Sequence, residues 1–327
     1  MHPKTALFLF FSLFITTAQA QTEPANASSK ELVFASDTQA PMWVETLFLK
    51  ANNNRSATKK IFDELADRQP SSVFLLGDVV NLGYSNKQWK PMDKYLQALR
   101  DKGITVDAVL GNHEVMGQAE KGERKFQKRF PDHVKTGYVV VKDSIAVVLL
   151  NSNFGALTAE ENQQQQAWYK TALAQLDADP SILFIISGCH HSPYTNSKIV
   201  SCSKNVQQAF VPSFLAYKKS CLFLTGHCHD FEHYQKEGKD FFVIGGGGGL
   251  HQPLKVGKDA LPDLAANYKP QFHYLVVKRD GNNLQVTSRE LKDDFNSFDD
   301  GLIINIKGAN ITTDVAKTES HATGTNN

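Results

Sequence analysis

The sequence predicts an α/β fold, a four-layer α/β/β/α sandwich of two mixed sheets flanked by helices. Three observations carry that expectation. Over residues 31–110, short apolar runs alternate with stretches of helical periodicity, the pattern of parallel βαβ units. Two hairpin patterns, residues 138–149 and 272–289, add antiparallel strands. A chain of 327 residues, 41% hydrophobic and 21% charged, is long enough to bury one large core.

Each element follows from local pattern. Residues 31–36 are an apolar run ending at Asp37, and residues 57–67 have helical spacing. Residues 72–76 form a buried-type strand running into Gly77-Asp78, followed by a helix over 88–102 and a strand over 106–110 that meets Gly111-Asn112-His113. The run 121–129 is basic and reads as a solvated helix face. Lys142-Asp143-Ser144 turns the first hairpin. Thr158 is placed to cap a long helix over 159–177 with a Gln-rich solvent face. A strand over 182–186 leads to His190, a helix is expected over 206–217, and a strand over 222–225 ends at Gly226-His227. Residues 231–236 and 241–244 are strands, and Asp280-Gly281 turns the last hairpin.

The ends read differently. Residues 1–20 combine a weakly basic start, a greasy run over 6–15 and the small-x-small triplet Ala18-Gln19-Ala20, the pattern of an export signal peptide cut after Ala20. Residues 21–308 are expected to be one domain, and residues 309–327, poor in apolar side chains, a flexible C-terminal tail. The protein is therefore expected to be exported, periplasmic or secreted. No membrane partner is expected after signal cleavage, because no later segment is long and apolar enough to span. The formal charge of +1 gives no reason to expect a nucleic-acid partner. Composition is silent on oligomeric state. The four cysteines permit disulfides without forming a scaffold, a Cys189–Cys202 bridge being the pairing their expected placement allows. Trp43, Trp89 and Trp168 are read as core residues.

Five polar clusters carry the chemistry, each just after a strand-like run: Asp37-Thr38-Gln39, Gly77-Asp78, Gly111-Asn112-His113-Glu114, His190-His191-Ser192-Pro193-Tyr194 and Gly226-His227-Cys228-His229. Ligands of open α/β sheets collect beyond the carboxyl ends of strands, so side chains distant in sequence can converge there. Carboxylate, amide oxygen and imidazole are the donors that hard and borderline divalent cations prefer, and no Cys-x-x-Cys pair suggests a thiolate zinc site.

In that order the motifs resemble the calcineurin-like metallophosphoesterase family, on its purple-acid-phosphatase-like branch, over roughly residues 32–250. The resemblance implies two divalent metal ions (Mn, Zn or Fe(II)), one held by Asp37, Asp78 and His229 with Gln39 as an extra oxygen ligand. It implies that Asp78, Asn112, His190 and His227 hold the other, so that Asp78 bridges and His113 is left as the proton donor. A metal pair about 3.5–4 Å apart can share a hydroxide as nucleophile while clamping the phosphoryl oxygens. Two positions depart from the family pattern. Gln39 stands where the family has His, a weaker ligand, and Asn81 stands where purple acid phosphatases place the tyrosinate that holds ferric iron. A colourless protein with divalent metals follows from the second departure. His190 and His191 both fit a recurring spacing; Tyr194, four residues after His190, favours His190 as ligand, leaving His191 towards substrate. His191, Asn81 and His251 are the candidate substrate contacts. Glycines 245–249 lack the Lys-Ser/Thr signature of a phosphate loop and read as backbone passing close to the metals. Asn151 and Asn153 read as turn residues.

The reaction so implied is hydrolysis of a small-molecule phosphate ester, a monoester first, by a hydroxide bridging two metals, with His113 and Asp78 as the catalytic residues. A phosphodiesterase or nucleotide-pyrophosphate hydrolase would use the same centre. A non-catalytic binding module, its first metal site weakened by Gln39, is the alternative from another class.

Overall fold

The structure, a computed structural model, describes residues 31–265 and 270–309. The expected signal peptide, and the expected tail apart from residue 309, lie outside the described residues. The strands of the first half are β1 (Leu32–Ala35), β2 (Ser72–Leu75), β3 (Thr105–Ala108), β4 (Tyr138–Lys142), β5 (Ile145–Leu149) and β6 (Phe184–Cys189). Those of the second half are β7 (Ser220–Thr225), β8 (Phe231–Lys236), β9 (Lys239–Ile244), β10 (His273–Asp280), β11 (Asn283–Leu291) and β12 (Phe298–Lys307). The helices are α1 (Asn54–Arg68), α2 (Asn86–Asp101), α3 (Asn112–Val115), α4 (Ala119–Gln127), α5 (Ala159–Ala178), α6 (Lys204–Ala209) and α7 (Val211–Ala216).

The strands form two six-stranded sheets, ordered β12-β11-β10-β1-β2-β3 and β4-β5-β6-β7-β9-β8. Both are mixed. In the first, β1, β2 and β3 run parallel and β10 pairs antiparallel with β1. In the second, β5, β6, β7 and β9 are parallel between the antiparallel edges β4 and β8.

Alternation along single strands builds the layers. Leu32 and Phe34 of β1 turn inward between the sheets, onto Phe74, Val147, Phe184, Leu222 and Leu275. Val33 and Ala35 of the same strand turn outward, onto Ile61 and Leu65 of α1 and Trp89 and Leu96 of α2. The second sheet repeats this, with Ile185, Phe223 and Val243 meeting Tyr169 and Leu173 of α5 and Phe214 of α7. Each of the Val, Leu, Ile and Phe side chains among these, fully buried, contributes about 1.5–3 kcal/mol. These cores make the parallel strands near-continuous apolar runs. The result is the expected α/β/β/α sandwich.

Thr158 caps α5 as expected: its hydroxyl accepts from the Glu161 N–H at 3.1 Å, and Glu161 Oε2 accepts from the Thr158 N–H at 2.8 Å. Elsewhere the structure corrects the expectation. The helix over 206–217 is two short helices, with Pro212 in the first turn of α7, because a proline cannot continue the hydrogen-bond ladder from the turn before it. β6 begins at Phe184 and extends to Cys189, since Ser187 and Gly188 are sealed inside the sheet. β12 was not foreseen; its inward side chains are Leu302, Ile304 and Ile306, behind an acidic start at Asp299-Asp300. All four cysteines are free, so the Cys189–Cys202 bridge is absent: Cys189 donates to the His191 carbonyl and Cys202 to that of Thr195, each at 3.5 Å. Trp89 is wholly buried, but Trp43 is 77% exposed and belongs to no core.

Candidate metal centre

All five clusters meet at the carboxyl ends of the strands, along the seam between the two sheets. The first sheet delivers Asp37 after β1, Asp78 after β2 and Asn112-His113 after β3; the second delivers His190 after β6 and His227 and His229 after β7. Asp37, Asp78 and His227 all sit in the left-handed region, with φ of +57°, +48° and +68°. Non-glycine residues held there cost energy, and such strain concentrates at functional sites. Gly226 permits the approach of the two sheets, since a Cβ there would lie 2.3 Å from Asp37 Oδ2 and 1.9 Å from Ser36 Oγ.

Asp78, His190 and His227 each turn one donor atom to a common point, all within 4.8 Å of one another. Asp78 Oδ2 is 3.2 Å from His190 Nε2 and 3.8 Å from His113 Nε2, while Asp78 Oδ1 accepts the His113 N–H at 2.8 Å. Asn112 Oδ1 lies 3.0 Å from His190 Nε2. Beside this group Asp37 Oδ1 is 3.4 Å from His229 Nε2, and Asp37 Oδ2 accepts the His227 N–H at 2.9 Å, which ties the two halves together. Asp37 Oδ1 and both amide atoms of Gln39 are buried without a hydrogen-bond partner, although the Gln39 N–H donates to the Asp78 carbonyl at 3.1 Å. Orphaned buried acceptors of this kind call for a ligand.

Backbone carbonyls aim the imidazoles. His190 Nδ1 faces the Leu76 carbonyl at 2.9 Å, His229 Nδ1 that of Leu250 at 2.8 Å, and His113 Nδ1 that of Asn81 at 3.0 Å. Each Nε2 is thereby turned to the centre, the outer support that metal-ligating histidines require. The charges agree. Burial opposes protonation of His190 and His229, yet Asp78 beside the first and Asp37 beside the second hold both at about 9. Burial would raise the Asp78 carboxyl, but His190, His113 and His227 hold it well below the usual range. Burial, then the charge of His190, pushes His227 and His191 down to about 3. A buried site that draws protons onto imidazoles beside two carboxylates is one where a divalent cation takes the protons' place. The donor set therefore fits divalent metal.

The candidate substrate contacts separate. His191 lies in the site: its Nδ1 is 2.8 Å from Ser152 Oγ and its ring lies tilted 4.5 Å from that of His227. Asn81 is buried with Oδ1 unpartnered, beside His113. His251 stands behind His229 with its ring 4.5 Å from Phe272; burial, then the charge of His229, lowers it to about 4. The glycine run is backbone bracing: Gly247 N–H donates to Ser36 at 3.0 Å and Gly249 N–H to Asp37 at 2.9 Å. Asn151 and Asn153 brace a turn, Asn153 Nδ2 donating to the Leu110 carbonyl at 2.9 Å.

Glu114, to which the motif reading assigns no role, is the bracket of the centre. Its buried carboxylate accepts from the N–H groups of Asp78 at 2.9 Å, Val80 at 3.0 Å and Gly111 at 2.8 Å, locking the β2 and β3 loops together. Its place three residues after Gly111, where its carboxylate accepts the Gly111 N–H at the start of α3, is the signal that could have found it.

Comparison with known proteins agrees with this geometry. The family described as calcineurin-like phosphoesterase matches residues 31–231. No curated protein matches the chain. Among solved structures, the purple acid phosphatase PPD1 of yellow lupin (Lupinus luteus) seeds superposes with a TM-score of 0.62 at 16% identity, over 87% of this chain and 55% of that one. The chain thus spans about half the length of the lupin protein. A dimetal phosphatase from Danio rerio superposes at 0.54 and 13% identity, over 86% of this chain and 100% of its own. GAP50, the anchor in the inner membrane complex of Plasmodium, does so at 0.58 and 13%, over 86% and 90%. At these identities the likeness is one of fold.

Proposed function

The chain belongs to the calcineurin-like phosphoesterase family, and from that premise we propose that it is an exported phosphomonoesterase acting on small phosphate esters through two divalent metals. The observation that carries the reading is the convergence of Asp78, His190 and His227 on one point, with the Asp37–His229 pair joined to it through the His227 N–H. In this reading Asp78, Asn112, His190 and His227 would hold one metal, and Asp37, Asp78, His229 and Gln39 would hold the other. When bound, such a metal pair supplies a nucleophile from water and a clamp on the phosphoryl oxygens.

The protein's own groups do the rest. His113 is buried, and the Asn81 carbonyl holds its Nδ1 so that Nε2 faces the centre; it is the group that protonates the departing oxygen. His191, fixed by Ser152, offers its ring to the substrate. Export rests on the leader pattern of residues 1–20.

Metal analysis combined with turnover of p-nitrophenyl phosphate and its bis ester tests this. Two metals per chain and faster monoester turnover are expected. Faster bis-ester turnover would replace monoesterase by diesterase, and no turnover with at most one metal bound would leave a binding module. The Asp78→Asn variant should lose metal pairing and activity together, read by the same two assays.

A further inference from the structure

We propose that the loop joining β1 to α1, residues 40–53, is a flap that enters the headgroup region of a lipid bilayer and seats the metal centre over phosphate esters held there. The substrate half of this inference rests on the phosphoesterase reading; the lipid contact does not.

The loop carries Trp43, Leu47 and Phe48 exposed to 77%, 64% and 82%, with Val44 beside them. They are not on a ragged strand. A turn of 3₁₀ helix, Glu45–Leu47, orders them through its own bonds: the Phe48 and Leu49 N–H groups donate to the Glu45 carbonyl at 3.1 and 2.9 Å, and Thr46 Oγ1 to that of Trp43 at 2.6 Å. The Glu45 carboxylate is engaged by the Met42 N–H at 2.6 Å.

Both roots of the loop are tied to segments that carry the metal centre. Gln39 precedes it, with its N–H on the Asp78 carbonyl at 3.1 Å. Asn54 follows it and donates to the carbonyls of Gly248 and Gly249 at 3.0 and 2.8 Å, and the Gly249 N–H donates in turn to Asp37. Trp43 is four residues past Gln39, so its Cα lies within about 14 Å of that ligand's.

Three properties choose the occupant. The exposed apolar area is on the order of 500 Å², beyond what scattered surface residues explain. The cavity of about 370 Å³ at the root of the loop is lined by Pro41, Ala51 and residues 53–56, and by none of the four. Residues 40–60 also hold Lys50, Arg55, Lys59 and Lys60 against the single acid Glu45; Lys59 pairs with Asp63 at 2.6 Å, and Lys50 and Arg55 are exposed. Trp, Phe and Leu flanked by basic residues suit an anionic lipid–water interface. Among the described residues no helix is long and apolar enough to cross a membrane, but a loop that enters only the headgroup region needs none. This departs from the expectation of no membrane partner, which rests on the lack of a spanning segment alone.

The test is flotation of the metal-loaded full chain with vesicles of phosphatidylcholine, with and without phosphatidylglycerol, beside the variant Trp43→Ser/Leu47→Ser/Phe48→Ser. Wild type should float with the mixed vesicles and the variant bind about tenfold more weakly or worse. Turnover of p-nitrophenyl phosphate should be the same in both, whereas hydrolysis of phosphatidic acid in vesicles should fall with binding. Trp89 is buried and Trp168 partly so, which makes Trp43 the source of a blue shift in emission when vesicles are added. Absence of wild-type binding, equal binding by the variant, or an effect of the variant on self-association alone would overturn the proposal. If neither protein turned over p-nitrophenyl phosphate while vesicle binding behaved as described, the phosphoesterase reading would fall and the lipid contact stand.

Discussion

His113 and Glu114 are neighbours in sequence with opposite duties. His113 keeps its Nε2 3.8 Å from Asp78 Oδ2, beside the convergent group of Asp78, His190 and His227. His113→Ala should retain both metals and slow monoester turnover by about 10²–10⁴, the usual worth of a general acid; metal loss from that variant would refute the assignment. Glu114 holds three N–H groups in place, including that of Asp78 itself. In Glu114→Gln one oxygen becomes an NH₂ facing backbone donors, so metal affinity should drop about 10–100-fold, measured by titration calorimetry, with the fold intact by circular dichroism. At this scale the residues that converge were legible because each is a distinctive side chain at a strand end. What aims them was not: Leu76, Leu250 and Asn81 act through carbonyls that every residue owns. Trp43 misled because a tryptophan's size says core while its loop says surface.

At the scale of elements, the edge strand β3 carries a pH-sensitive position. Burial, then the charge of Asp132, raises the Asp107 carboxyl to about 6. The folded chain therefore binds that proton more tightly than the unfolded one. The stability so gained is present at pH 4 and below and is lost as pH rises through about 6. Asp107→Asn removes the ionised group, so it should stabilise the protein by about 1–2 kcal/mol at pH 8 and by nothing measurable at pH 4, in urea denaturation at each pH. The parallel strands and α5 were readable from periodicity and from the Thr158 cap. β12 was not, because Asp299, Asp300 and Gly301 open it and its alternation begins only at Leu302. Pro212 was in plain sight inside the stretch expected to be one helix, and its missing N–H marks the break.

For the whole molecule, the sandwich was legible because alternating strands between two helical layers admit few other arrangements. Its stability should depend on the centre. At a free metal concentration about a hundred times the dissociation constant, binding adds about 2.7 kcal/mol, so chelation should lower the melting temperature, measured by calorimetry before and after metal is restored.

Because Asp37, Asp78 and Asn112 belong to one sheet and His190, His227 and His229 to the other, a cation gripped by both works as a clasp on the open end of a book. Stripping it should let the covers part at that end first. Hydrogen exchange at His227, Gly247 and Gly249, whose N–H groups bond across to Asp37 and Ser36, would then quicken while the spine, at the amino ends of β2 and β6, stays shut.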